Sequence, residues 1–130
     1  MKRDLDLIRR IIIRLAESEE EDIAIDKKTC QAEWGVSYAT MKFHADLLVD
    51  IGYVVASHPH VKCSELGIYD KYLRLLRLTW AGCDYYESIK DDSKWAKVKK
   101  AIAEKWPEMA AHGTVAIIGA VPSIVQAISK

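Results

Sequence analysis

The chain has no net charge: 19 lysines and arginines stand against 19 aspartates and glutamates. That removes the simplest argument for nucleic-acid binding, which starts from a basic domain. Any such activity must rest on local charge. Cysteine is sparse as well. Cys30, Cys63 and Cys83 are an odd number with no repeated spacing, which excludes a disulfide framework and points to a reducing compartment. The opening MKRDLDLIRR has no apolar signal core, so a cytoplasmic location is expected. Glycine is scarce, and no glycine loop of the phosphate-binding kind is present. Internal repeats and low-complexity tracts are absent too. One stretch without charge stands out, Met109 to Ser129. Its length is that of a bilayer span, but His112, Gly113, Gly119, Pro122 and Gln126 interrupt it, so the expectation is a buried strand or turn over 114–121. A short helix would follow, opening at Pro122, because proline suits a first helical position.

What is present is a globular composition. Of the 130 residues, 50% are hydrophobic and 29% charged, enough for one core. Leu5, Ile8, Ile12 and Leu15 give a first helix an apolar stripe. Over residues 1–16 five bases face two acids. Six acids then run from Glu17 to Asp26 with no base until Lys27. Ile23 and Ile25 alternate with polar neighbours as a short strand does. Asp26 can cap a short helix from Lys27 to Trp34, and Gly35 marks the turn after it.

The stretch from Val36 to Gly82 is the most informative. Ser37 is a good N-cap, and Val36 and Met41 occupy the two positions of a hydrophobic staple. Met41, His44, Ala45, Leu48 and Ile51 recur at helical spacing, and Gly52 can close the helix in the left-handed region. Tyr53 to Val55 are strand formers. Pro59 and Gly67 break the following segment into a loop. Tyr72 to Leu78 reads as a second strand, and Thr79 can cap a helix reaching about Lys90. Asp92 or Ser93 opens another, with Trp95, Val98, Ile102 and Trp106 on one face and Pro107 at its end. The four tryptophans are read as core. Cys30 and Cys83 are read as small packed hydrophobes.

Three segments carry a resemblance: Lys2-Arg3-Asp4-Leu5-Asp6-Leu7-Ile8-Arg9, Arg77-Leu78-Thr79-Trp80-Ala81-Gly82 and Asp91-Asp92-Ser93-Lys94-Trp95. Together they resemble a family of bacterial and phage-encoded proteins grouped as a domain of unknown function. The resemblance covers nearly the whole chain. It implies a winged-helix fold and a phage or prophage setting, and no activity.

The expected architecture is therefore α+β, mostly α: a winged helix-turn-helix core over 1–90 and a C-terminal helical extension over 91–130, packed on the core or on a partner within a single domain. In such a fold the second helix of the motif enters the major groove and lysine or arginine near phosphates supplies affinity. Lys2 and Arg3 would form an N-terminal arm. Lys27 and Lys28 precede the motif, Ser37, Tyr38, Thr40 and Lys42 lie in the N-terminal half of its second helix, and Lys62 and Lys71 lie in the loop. Against this, residues 37–51 hold one base and two acids, and residues 57–71 hold two of each. The alternative is a protein-interaction module, an adaptor or inhibitor of a host factor, in which Phe43 and Val49 lie outward on the same helix as an apolar contact pair. A homodimer through the Trp95 helix or the tail suits either reading. His58, His60 and Cys63 sit close together, but no second ligand pair accompanies them, so no metal or other cofactor is expected. Cys63 beside His60 lacks an orienting group, so no enzyme is expected.

Overall fold

The computed structural model describes residues 3–20, 23–56, 72–105 and 121–127. Helix α1 spans Leu5–Glu17, strand β1 Ile23–Asp26, helix α2 Cys30–Trp34 and helix α3 Tyr38–Asp50. Strands β2 (Val54–Ala56) and β3 (Tyr72–Leu78) follow, then helices α4 (Trp80–Ile89) and α5 (Asp92–Lys105). Residues 121–127 form a further helix of about two turns. The protein is α+β and mostly helical. β3 lies in the middle of a three-stranded antiparallel sheet of order β1-β3-β2. Ile23 stands opposite Leu75 and Val54 opposite Leu78, with an irregularity between Val55 and Ala56.

Local chemistry accounts for most helix ends. Asp4 opens α1, its carboxylate accepting the Asp6 and Leu7 amides at 2.9 and 3.2 Å. Ser37 opens α3, its hydroxyl accepting the Thr40 amide at 3.2 Å. Thr79 opens α4 through the Gly82 amide at 3.0 Å. Gly35 (φ 73°) and Gly52 (φ 80°) both occupy the left-handed region that a helix exit requires. Two boundaries differ from the sequence expectation. α2 starts at Cys30, not Lys27, because the Asp26 carboxylate takes the Lys28 amide at 2.7 Å and holds the intervening residues in a turn. α5 is capped by Asp91, whose carboxylate accepts from the Lys94 amide at 2.9 Å and the Ser93 hydroxyl at 2.8 Å.

The core forms where α1 packs against α3, α4 and β3. Leu7, Ile8, Ile11 and Ile12 are its buried residues, while Leu5 and Leu15 are only half-buried. The sequence stripe is thus displaced toward Leu7 and Ile11, because a helix flanked on several sides buries a wider arc than a one-sided stripe. α3 contributes Met41, His44, Ala45 and Leu48, as its spacing predicts. α5 contributes Trp95, Val98 and Ile102, and the segment 121–127 adds Val121 and Val125.

The tryptophans do not all join this core. Trp34 and Trp95 are buried, but Trp80 is 87% exposed, and Trp106 lies outside the described residues. Cys30 is buried, its thiol 3.4 Å from the Val36 carbonyl and shifted upward by burial, with Glu33 adding to the shift. Cys83 is exposed and does not pack as a hydrophobe. Of the expected strand or turn over 114–121, residues 114–120 lie outside the described residues, as does the cluster His58, His60 and Cys63, and Val121 already belongs to the helix expected to open at Pro122. Among the described residues, no helix is long and apolar enough to cross a membrane. No group of three metal-ligating side chains occurs among them either.

One buried group is out of balance. The Tyr85 hydroxyl is buried with no hydrogen-bond partner among the described residues, and its ring lies 4.9 Å from that of Tyr53. Burial pushes its phenol well above the ordinary range, and Tyr53 adds to the shift. An unsatisfied buried hydroxyl costs about 1–3 kcal/mol. Tyr85→Phe is therefore expected to raise stability by about 1 kcal/mol, read as a higher urea midpoint at unchanged slope. A lower midpoint would mean the hydroxyl has a partner.

Candidate recognition surface

The α2–turn–α3 unit is held from three sides. Gly35 donates its amide to Gln31 O at 2.9 Å, ending α2. Arg10 on α1 donates to the Trp34 carbonyl at 2.9 Å, with its guanidinium 5.3 Å from the indole centroid. His44 on α3 then joins α3 to α1. Its Nδ1 lies 2.7 Å from the Thr40 carbonyl and so donates, which leaves Nε2 to accept the Asp4 amide at 2.8 Å. The ring is fully buried and both nitrogens are used, so the neutral Nδ1–H tautomer is the one that fits. The residues just before α1, where Arg3 sits, are thereby tied to α3.

The N-terminal half of α3 carries most of the expected contact residues. Lys27 packs its ammonium 5.2 Å from the Tyr38 ring, and Lys28 is exposed beside it. Ser37 and Thr40 hydroxyls are 3.0 Å apart and engaged in the cap. Lys42 is paired with Asp46 at 2.9 Å, one turn along. Arg3 is half-buried. Lys2, Lys62 and Lys71 lie outside the described residues.

The apolar pair departs from expectation. Phe43 is half-buried, its ring edge-on to His44 at 5.3 Å. Val49 is half-buried and packs against the core. Neither stands fully outward. On the Trp95 helix, Trp95 itself is 4% exposed and turned onto α1.

A second cluster joins α1 to α5, and sequence reading missed it. Asp6 accepts the Trp95 indole N–H at 2.8 Å, and Lys99 reaches the same carboxylate at 3.1 Å. Arg9 donates to the Ile89 carbonyl at 2.8 Å, to the Lys90 carbonyl at 3.2 Å and to Asp92 at 2.7 Å. Its guanidinium also lies 5.6 Å from the Trp95 ring. Asp6 and Arg9, charged residues beside the apolar stripe of α1, were the available signal, but their partners lie 80 or more residues away.

A family model described as "Hypothetical protein (DUF2513)" matches residues 2–107. The chain belongs to the DUF2513 family. It is also 32% identical over 105 residues to an uncharacterized protein of Haemophilus influenzae (strain ATCC 51907 / DSM 11121 / KW20 / Rd), a match covering 81% of each chain. No solved structure matches. The DUF2513 match runs from the residues before α1 to just past α5, so it takes in the sheet and the α1–α5 cluster and leaves out the helical segment over 121–127.

The three segments singled out in the sequence have a structural role in this DUF2513 chain. The first and third meet through Asp6–Trp95 and Arg9–Asp92. The second is a clasp. The Thr79 amide donates to Tyr53 O at 3.0 Å, its hydroxyl donates to Gly52 O, and Gly82 donates back to that hydroxyl. This locks the start of α4 onto the exit of α3.

Proposed function

We propose that this chain is a small winged helix-turn-helix protein of phage or prophage type that binds double-stranded DNA as a transcription-regulatory accessory. The observation that supports this reading is the order of elements. β1 lies between α1 and α2, α2 and α3 are separated by a three-residue turn at Gly35, and β3 pairs with both β1 and β2. In this order of elements a wing falls between β2 and β3, over residues 57–71, which lie outside the described residues. In that arrangement α3 is the reading helix, entering by its N-terminal half. Tyr38 offers a polar tip there, and Lys27 and Lys28 are placed for flanking phosphates. The residues before α1, tied to α3 through Asp4 and His44, supply the arm of Lys2 and Arg3. Lys42 contributes less than its charge suggests, since Asp46 neutralises it. No catalytic step and no cofactor enters this reading.

Few phosphate contacts mean weak, salt-sensitive binding. With two to four contacts, the slope of log affinity against log salt should be about −2 to −4. Fluorescence anisotropy on random duplex is expected to show binding at low salt, with Lys27→Glu/Lys28→Glu flattening the slope by about 2 units. Absence of binding at low salt would sink the reading.

A second reading, a protein-binding adaptor or inhibitor on the same surface, draws on one observation. Once Lys42 is paired, the exposed side of α3 retains no free cation, while Asp50 is exposed at its end. Capture of a host protein by the wild type, lost with Phe43→Glu, supports it; retention by that variant removes Phe43 from the surface.

A further inference from the structure

The outer side of α5 carries a stripe of lysines. Lys94, Lys97 and Lys100 are all exposed and follow one another at spacings of three, so they run along one flank of the helix. Trp95, Val98 and Ile102 turn the other side into the core. Nearby acids do not cancel the stripe. Asp92 is paired with Arg9 at 2.7 Å, and Asp6 is met by a fourth lysine, Lys99, at 3.1 Å. Asp91 lies near Lys94, with its carboxylate turned to the Lys94 amide and the Ser93 hydroxyl of the helix cap. Glu104 is the remaining acid of α5, one turn beyond Lys100. Among the described residues, Lys94, Lys97 and Lys100 enter no salt bridge.

The first turn of α1 sets where this stripe lies. The Asp4 amide is bonded to His44 of α3 at 2.8 Å, and two residues on the Asp6 carboxylate holds Trp95 and Lys99 of α5. The N-terminal half of α3 and the lysines of α5 therefore flank the same end of α1. Acids gather at the other end. Glu17 closes α1 and Glu19 and Glu20 follow it, about 17 Å from Asp6 along the helix. The zero net charge of the chain thus hides a polarity.

We propose that α5 is a second DNA-contacting element, in which Lys94, Lys97 and Lys100 bind backbone phosphates beside the groove that α3 enters. The proposal rests on the duplex-binding reading of α3 and supplies what that surface lacks, since Lys42 is held by Asp46. An ammonium on a flexible stem can follow a line of phosphates without a fixed geometry. The stripe is about 9 Å long, and a DNA strand carries one charge per about 3.4 Å of axis, so it meets two or three successive phosphates. Contacts of this kind position the duplex and carry no sequence information. A membrane surface is the rival polyanion, and α5 suits it less well. Between its lysines the exposed side presents Ser93, Ala96 and Ala103, with no large apolar side chain to enter the headgroup region.

Fluorescence anisotropy of the full chain on random duplex, over a salt series, tests the proposal. Each phosphate contact contributes about −0.9 to the slope of log affinity against log salt, so two or three add about −2 to −3 to the slope expected from α3. The variant Lys94→Gln/Lys97→Gln/Lys100→Gln should flatten the slope by that amount and weaken low-salt binding on the order of tenfold or more. Arginine at the same three positions should restore both. Glutamine is a good helix former and the three residues are exposed, so the urea midpoint should stay at the wild-type value. Lys90→Gln removes a lysine already held by Glu87 at 2.6 Å and should leave the slope unchanged. An equal flattening there would reduce the effect to overall charge and overturn the proposal. A slope unmoved by the triple variant but flattened by Lys27→Glu/Lys28→Glu overturns the α5 contact and leaves the α3 reading standing. The reverse pattern supports α5 and removes α3 from the duplex. Cosedimentation with mixed phosphatidylcholine and phosphatidylserine vesicles, lost in the triple variant while duplex binding is unaltered, overturns the proposal in favour of a membrane surface.

Discussion

Gly82→Ala is expected to destabilise the protein by about 2–4 kcal/mol, although alanine is the better helix former. Gly82 is buried inside α4, and its φ is ordinary, so conformational freedom is not the reason glycine stands there. The reason is approach. A Cβ at this position would overlap the Tyr53 carbonyl oxygen, lie 3.0 Å from the carbonyl carbon and 3.2 Å from the Leu78 Cβ. The first two are backbone atoms and cannot swing aside. Nor can the carbonyl retreat without cost, because it accepts the Thr79 amide at 3.0 Å. Helix propensity alone favours alanine over glycine by about 1 kcal/mol. Forced repacking costs about 1–3 kcal/mol or more, and rigid backbone places this site at or above the upper end. The two effects have opposite sign, so the experiment is decisive. Ala81→Gly, at the exposed neighbour, should lose about 1 kcal/mol by propensity. If Gly82→Ala instead raised the urea midpoint, the close approach of α4 to Tyr53 would be wrong.

That clasp also shows what can be read from sequence. Ser37, Gly52 and Thr79 were legible because each acts within a few residues of itself: a hydroxyl reaches an amide three positions on, and a glycine adopts a positive φ at a helix exit. The spacing of Met41, His44, Ala45 and Leu48 was legible because a helix repeats every 3.6 residues. Thr79 as a cap was readable, but its second role was not, since Gly52 lies 27 positions away. Lys42 shows the same limit at short range. Its charge counts in any tally of bases, while its pairing with Asp46 one turn later withdraws much of it from a ligand.

Tryptophan marks the boundary most clearly. Trp80 and Trp95 both lie in the first turn of a helix, and composition treats them alike. One is 87% exposed and the other 4%. What distinguishes them is a partner. α1 offers Asp6 to the Trp95 N–H and Arg9 to its ring, whereas no element among the described residues covers Trp80 in this way. The same reasoning explains Phe43 and Val49. A helical wheel assigns them to the outer face, but the wheel contains no neighbouring elements.

The second large effect is expected at Trp95. Trp95→Ala removes a buried indole and should cost about 3–5 kcal/mol, with the amides of α5 losing hydrogen-exchange protection before those of α3. Asp6→Ala removes only the acceptor and leaves the buried N–H unpaired. A hydrogen bond to a charged group contributes about 1.5–3 kcal/mol, but the Asp6 side chain is 56% exposed, which places the loss near 1–1.5 kcal/mol. The two residues share one contact, so a cycle of Asp6→Ala with Trp95→Phe should show coupling of about 1 kcal/mol. Acid provides an independent check of sign. Burial acts to raise the Asp6 carboxyl, yet the bonds from Trp95 and Lys99 and the charges of Lys99 and Arg9 together outweigh it, and the group sits below its ordinary value. A carboxyl lowered on folding stabilises the native state above its unfolded value, near 3.9, and that contribution disappears as pH falls through the folded value. The stability gap between wild type and Asp6→Asn should therefore be constant from about pH 5 to 7 and close below about pH 4. A gap that persists at pH 2 would mean Asp6 acts through shape alone. In that case α5 would be held by the apolar contacts of Trp95, Val98 and Ile102, and the charged opening of α1 would have another task.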